Sequence, residues 1–204
     1  MDLKHLEIIE KAALLFLRNG IKSVTMDDLA KELGVSKKTI YKYFEDKNDL
    51  VTKIVKTKTT FDRHACESAR CESENAIDAM FRISEFVSGM MQEVHSSVFF
   101  DLQKYHREAW KIMEDHKSNF VKSQLKENII RGQNEGLYIS SLDPEVIASI
   151  YIASTNGLFD GETFDLKLHK FNEIFNEIIH FQIRGIANEK GLKYLNNRIQ
   201  NSKK

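Results

Sequence analysis

Residues 24–50 read Val-Thr-Met-Asp-Asp-Leu-Ala-Lys-Glu-Leu-Gly-Val-Ser-Lys-Lys-Thr-Ile-Tyr-Lys-Tyr-Phe-Glu-Asp-Lys-Asn-Asp-Leu. The pattern is two short helices joined by a tight turn. Thr25 is placed to cap the first helix, with Asp28 three residues on, where an acid complements the positive helix end. Met26, Leu29, Ala30 and Leu33 form its inner stripe, and Gly34 breaks it. Ser36 caps the second helix, whose Ile40 and Phe44, four apart, share an inner face. A rotation of about 100° per residue then sets Lys38 and Lys42 nearly opposite them, with Thr39 and Tyr41 on the flanks. Lysines on a surface helix often serve solubility alone. Here the outer face is short, follows a tight turn and holds no acid from Val35 through Phe44. This is the form of a helix-turn-helix, which sets a helix into the DNA major groove.

Upstream, Ile9, Ala12, Ala13 and Phe16 recur at helical spacing from Lys4 to Asn19, and Gly20 stands where a left-handed cap closes a helix. Downstream a further helix begins at Asp46, with Lys47 in its first turn beside unpaired N–H groups that favour a phosphate oxygen. Residues 1–58 hold twelve Lys and Arg against nine Asp and Glu, a net charge of +3. The whole chain is neutral, so the remainder carries −3. A mildly basic head on a mildly acidic body suits a small DNA module attached to a larger domain that does not touch DNA.

The head resembles the N-terminal domain of TetR-type transcriptional regulators over residues 8–51. The resemblance is carried by Ala12-Ala13-Leu14-Leu15-Phe16, Asn19-Gly20, Thr25 to Ala30, Gly34-Val35-Ser36-Lys37-Lys38-Thr39-Ile40-Tyr41, Tyr43-Phe44, Lys47 and Leu50. It implies phosphate contacts from Tyr41, Tyr43 and Lys47, and an approach to base edges or backbone by Lys37, Lys38, Thr39 and Lys42. The cap residues Thr25 and Ser36 complete the expected DNA-binding set.

Beyond residue 60 the chain reads as amphipathic helices with no convincing strand. Leu50, Val51, Ile54, Val55 and Phe61 prolong the fourth helix, while Asp62 to Asn75 is too polar to assign. Helices are expected from Ala76 to about Met91, from Val98 to Tyr105, and from Glu108 to about Arg131, ended by Gly132 and Gly136. Asp143-Pro144 starts another, running to about Phe159 with Gly157 inside it. A last helix is expected from Leu166 to Ala187, followed by a frayed tail from Lys193 to Lys204. The expected fold is therefore all-α: a helix-turn-helix domain over residues 1–48, and a linking helix into an effector-binding and dimerisation domain over 49–204.

Two features of the body carry functional expectations. Phe81, Phe86, Met90, Met91, Phe99, Phe100, Tyr105, Trp110, Met113 and Phe120 form a soft, bulky set, with His95, His106 and Glu93 as sparse polar anchors. As a bare pattern this is core packing; the resemblance implies that some of these residues line a pocket for a small, largely apolar effector. Ile150, Tyr151 and Ser154 on one late helix, with Phe171, Ile174, Phe175, Ile178 and Phe181 on the other, exceed what a terminal hairpin needs. The resemblance implies that these two helices pair with their counterparts in a second copy. A two-fold dimer also suits the reader, because two recognition helices must meet successive major grooves.

Other classes of function find little support. Glu177-Ile178-Ile179-His180 is a single Glu-x-x-His where a di-iron bundle needs two, and no nucleophile elbow or phosphate-cradling glycine loop occurs. Cys66 and Cys71, five apart, match neither redox nor zinc spacing. No apolar run approaches the roughly 20 residues that span a bilayer, and Met1-Asp2-Leu3-Lys4 lacks the basic-then-apolar layout expected of a secretory signal. The expectation is a cytoplasmic, homodimeric DNA-binding regulator, a repressor released by its effector, without enzymatic activity, metal or cofactor. The alternative is a DNA-binding protein without an effector, whose body serves dimerisation or protein docking alone.

Overall fold

The computed structural model describes residues 3–92, 94–159, 163–164 and 168–201. All its regular elements are helices: α1 (Leu3–Asn19), α2 (Met26–Glu32), α3 (Lys37–Ile40), α4 (Lys47–Glu72), α5 (Ala76–Met91), α6 (Ser97–Tyr105), α7 (Arg107–Asp115), a π-helical stretch (His116–Val121), α8 (Lys122–Asn134), α9 (Pro144–Asn156), α10 (Phe171–Ile186) and α11 (Glu189–Asn201). Two compact units result, one from residues 1–62 and 93–116, the other from 63–92 and 117–204.

In the first unit the apolar stripes of the head close on one another. Ile8, Ile9, Ala12 and Phe16 of α1, Leu29 of α2, Ile40 of α3, Phe44, and Leu50 and Val51 of α4 are each at most 3% exposed. α1 stops at Gly20, whose φ of 81° is left-handed and whose N–H bonds the Phe16 carbonyl at 2.9 Å. A Cβ at Gly20 would also run into Ser97 Oγ, so this turn needs glycine twice over. α2 opens with a full capping box. Thr25 Oγ1 accepts from the Asp28 N–H at 3.1 Å, and Asp28 Oδ2 accepts from the Thr25 N–H at 2.8 Å.

The second unit packs α5, α8, α9, α10 and α11 around Ile77, Ile129, Tyr138, Leu158, Ile179, Ile183 and Leu195, each at most 2% exposed. Several expected boundaries are corrected here. The unassigned stretch Asp62 to Asn75 mostly continues α4 to Glu72, held by a Lys58–Asp62 ion pair at 2.9 Å and a buried Ala69. Asn75 then caps α5 through the Asp78 N–H at 3.0 Å. The helix expected from Glu108 to Arg131 is interrupted by π-helical turns, which shift the stripe that follows relative to the one before.

Gly132 lies inside α8 rather than at its end, and its missing Cβ leaves room for the Tyr138 ring; Gly136, at φ 66°, makes the stop. α9 ends at Asn156, with Gly157 as its cap, instead of reaching Phe159. α10 begins at Phe171; the expected start at Leu166 lies outside the described residues.

The tail expected to fray is instead α11 as far as Asn201; residues 202–204 lie outside the described residues. Its polar sequence hides the fully buried Leu195 and ties to α5 and its approach. Arg198 Nε lies 3.2 Å from Asp78 Oδ1, and the Tyr194 hydroxyl lies 3.2 Å from Glu74 Oε2. Burial disfavours the Asp78 carboxylate, but Arg82 and Arg198 outweigh it and hold its pKa below the ordinary value.

Candidate nucleic-acid interface

The recognition segment is short. Ser36 caps α3 by accepting from the Thr39 N–H at 3.1 Å, and after Ile40 the chain continues as turns, with Phe44 N–H bonded to the Ile40 carbonyl at 3.1 Å. Ile40 and Phe44 are 0% and 1% exposed, while Lys38, Tyr41 and Lys42 face solvent. The apolar side is thus spent on the head core, and a cationic, hydroxyl-bearing side is left outside. Lys donates to phosphates and to guanine edges, and Tyr donates to phosphates.

The rest of the expected DNA set is already engaged within the head. Lys37 Nζ pairs with Asp27 Oδ2 of α2 at 2.9 Å, a contact that raises its pKa. Exposed pairs of this kind are weak because solvent screens them, so a phosphate can compete for the ammonium. The Ser36 and Thr39 hydroxyls lie 2.8 Å apart, and the Thr25 hydroxyl sits 2.6 Å from Asp28 Oδ2. Tyr43 is half-buried between the rings of His5 and Phe44.

Lys47 is turned inward. Its Nζ lies 2.5 Å from the Val24 carbonyl and 3.5 Å from that of Lys22, with the Phe16 ring centroid at 5.6 Å. Burial lowers its pKa, partly offset by Asp101 and Asp28. The first turn of α4 also has its own acceptor, since Asp46 Oδ1 takes the Asp49 N–H at 2.8 Å.

The loop that Lys47 grips, residues 20–25, is held from α6 as well. Asp101, 3% exposed, accepts from the Lys22 N–H at 2.8 Å, and the Lys22 ammonium lies 3.0 Å from the Tyr105 hydroxyl; just before α6, the His95 N–H donates to the Leu17 carbonyl in the last turn of α1 at 2.7 Å. Asp101, an acid in an apolar stretch, was the one legible sign of this contact. His106, close by, is 8% exposed; burial first, then the Lys47 ammonium, pushes its pKa below 6.5.

The expected effector residues divide between the two units. His95, Phe99, Tyr105, Trp110 and Met113 belong to the first, with His95 bonded to the end of α1 and Tyr105 to the head loop; Phe81, Phe86, Met90, Met91 and Phe120 belong to the second. Glu93 lies outside the described residues. Phe120 stacks under the Arg63 guanidinium at 4.3 Å, and Phe81 neighbours His180 at 5.5 Å. Sequence reading missed a buried polar knot in the second unit, where the Ser84 and Ser88 hydroxyls both donate to Asn176 Oδ1, at 2.9 and 2.7 Å.

The expected dimer residues sort by face. Ile150 and Phe181 are 49% and 78% exposed, Ser154, Phe171 and Ile178 are half-buried, and Tyr151, Ile174 and Phe175 are under 10% exposed, packed inside the protomer. An open groove of about 660 Å³ runs along α9 and α10, floored by Ser154, Gly157, Ile174, Ile178, Phe181 and Gln182. Among the described residues no three His, Cys, Asp or Glu are placed to hold a metal ion, and no helix is long and apolar enough to cross a membrane.

Comparison with known proteins agrees with this geometry. The family model described as bacterial regulatory proteins of the tetR family matches residues 8–54. The HTH-type transcriptional regulator YhgD of Bacillus subtilis is 30% identical over 177 residues, covering 79% of this chain and 85% of YhgD. YvaF of the same organism, also an HTH-type transcriptional regulator, is 27% identical over 173 residues, covering 81% of this chain and 86% of its own. Among solved structures, a TetR-family regulator from Agrobacterium tumefaciens superposes with a TM-score of 0.73 at 17% identity, over 91% of this chain and 98% of that one. A transcriptional regulator from Saccharomonospora viridis in complex with choline gives a TM-score of 0.71 at 16% identity, over 91% and 98%. With its helix-turn-helix head, its helical body and a relative matched along most of both chains, this protein belongs to the TetR family of DNA-binding transcriptional regulators.

Proposed function

We propose that the protein is a homodimeric repressor that binds a pseudo-palindromic operator and leaves it when a small molecule binds the body. The observation that carries DNA reading is the sorting of residues 36–44, with Ile40 and Phe44 wholly buried and Lys38, Tyr41 and Lys42 outside without an acid among them. In this reading Lys38 and Thr39 approach base edges. Tyr41, Lys42, Tyr43, Thr25 and Ser36 serve the backbone, and Lys37 exchanges Asp27 for a phosphate. Lys47 has a second task, anchoring the loop before α2. The functional division falls near residue 48, with DNA contacts before it and dimerisation and effector binding after it.

A second copy is proposed to cover the α9–α10 groove, where Ile150 and Phe181 expose apolar surface. Two-fold symmetry then offers two recognition segments to successive major grooves, roughly 34 Å apart. The effector reading rests on the family and on the choline-bound neighbour. An effector that favours the DNA-incompetent state by about 1–3 kcal/mol gives useful control.

The test is binding to duplexes selected from random sequence, measured against salt. Replacing Lys42 with Met should lower the log–log salt slope by about 0.9, the share of one phosphate. Replacing Lys38 should shift base preference at a cost of about 1–3 kcal/mol. A parent protein indifferent to every duplex at low ionic strength overturns the reading. A compound screen that releases no bound duplex removes the effector and leaves the DNA reader standing.

A further inference from the structure

The recognition turn ends in Tyr43 and Phe44, and both are gripped by residues outside it. The ring of His5, near the start of α1, stacks on Phe44 with centroids 5.1 Å apart and planes 18° apart. The same ring meets Tyr43 at 6.2 Å and 60°. From α4, Lys53 places its ammonium 5.1 Å from the Phe44 centroid, 3.1 Å from the Tyr43 carbonyl and 2.8 Å from Asp49 Oδ2. Asp49 in turn accepts from the Glu45 N–H at 3.0 Å. The backbone on either side of Phe44 is thus pinned, at the carbonyl of 43 and the amide of 45, by one ion pair.

His5 sits here at a cost, since its Nδ1 is buried without a hydrogen bond among the described residues. A leucine would avoid that penalty. What leucine lacks is a flat face, and a flat face is what two neighbouring rings use. His5 also precedes the stretch that matches the family, residues 8–54, while Lys53 and Asp49 lie within it, so the stacked half of this grip falls outside the matched stretch.

We infer that His5 and the Lys53–Asp49 pair are positioning residues for DNA binding, fixing the Tyr43 ring and carbonyl before DNA arrives so that less freedom is lost on contact. The inference rests on the proposed backbone contact by Tyr43. It assigns no DNA contact to His5 or Lys53.

The experiment measures fluorescence anisotropy of a labelled duplex, selected with the parent protein, across a salt series, with a thermal melt for each variant. His5→Ala is expected to weaken binding about 3- to 10-fold, the size of one aromatic pair, and His5→Phe to restore it to within about twofold. Lys53→Met is expected to weaken binding with the salt slope unchanged. In a Tyr43→Ala background, His5→Ala should add less than about twofold, since coupled sites are non-additive. If His5→Ala melts too low to assay, His5→Leu against His5→Phe asks the same question, and equal affinities overturn the inference. Unchanged affinity in His5→Ala, with a lowered melting point, makes the stack merely structural. A Lys53→Met slope reduced by about 0.9 makes Lys53 a phosphate ligand and overturns its assignment. If Tyr43→Ala itself leaves affinity unchanged, the proposed Tyr43 contact fails and the inference with it. If Tyr43→Ala weakens binding and the His5 variants do not, the inference alone fails.

Discussion

Phe175 and Phe181 stand on one helix, six residues apart, and the same truncation should do opposite things to them. Six residues turn an α-helix by about 600°, which leaves the two side chains about 120° apart around the axis, enough to put one inside and one outside. Phe175 is 5% exposed and Phe181 is 78% exposed. A phenylalanine can bury about 200 Å², so Phe181 has about 150 Å² left for a partner, worth about 4 kcal/mol at 25 cal/mol per Å². If the dimer captures half of that, each copy contributes about 2 kcal/mol. Two-fold symmetry counts it twice, so Phe181→Ala should raise the dimer Kd roughly a thousandfold. Its melting point, measured at a concentration where it is monomeric, should match that of the diluted parent. Phe175→Ala instead leaves a cavity inside the protomer, and should cost about 3–5 kcal/mol of folding stability. Sedimentation equilibrium over a dilution series reads the first effect, and chemical denaturation the second. A Phe181→Ala protein that stays dimeric at the parent's Kd refutes the α9–α10 face as the interface.

Three further outcomes follow from the packing. Lys47→Met removes the donor that grips the Val24 carbonyl and should cost about 1–2 kcal/mol of stability; a variant as stable as its parent in urea removes the anchor. Gly132→Ala drives a methyl into the Tyr138 ring, itself 1% exposed, and should cost about 1–3 kcal/mol; an unshifted thermal midpoint would mean that the Tyr138 segment moves off α8 freely. The pKa of His106 is lowered on folding, so below pH 6.5 the unfolded chain takes up a proton that the folded one refuses. Stability from this group is full above pH 6.5 and falls as pH drops toward the folded value. His106→Leu should flatten that part of the stability–pH curve, and a parent-like slope in urea titrations from neutral to mildly acid pH would clear His106 of the role.

Sequence alone determined the head. Its signals are local: Thr25 with Asp28, Ser36 with Thr39, Gly20 and Gly34 at left-handed turns, and Ile40 four residues before Phe44. Caps, left-handed turns and helical stripes act within one or two turns of chain, so they can be read without knowing what lies across the core. The all-α class and the Asp143-Pro144 start were legible for the same reason.

Tertiary structure decided what depends on partners distant in the chain. It turned Lys47 onto Val24, joined Asp101 to Lys22, stacked His5 on Phe44, and made a helix of the polar tail by burying Leu195 and bringing Arg198 to Asp78. It also separated Phe175 from Phe181, which the apolar pattern and the family resemblance together had placed on one interface. An amphipathic stripe says that a face will be covered. Which face is covered within the protomer, and which is left over, is set by the packing of α5 and α9 against α10, and no spacing along α10 encodes it.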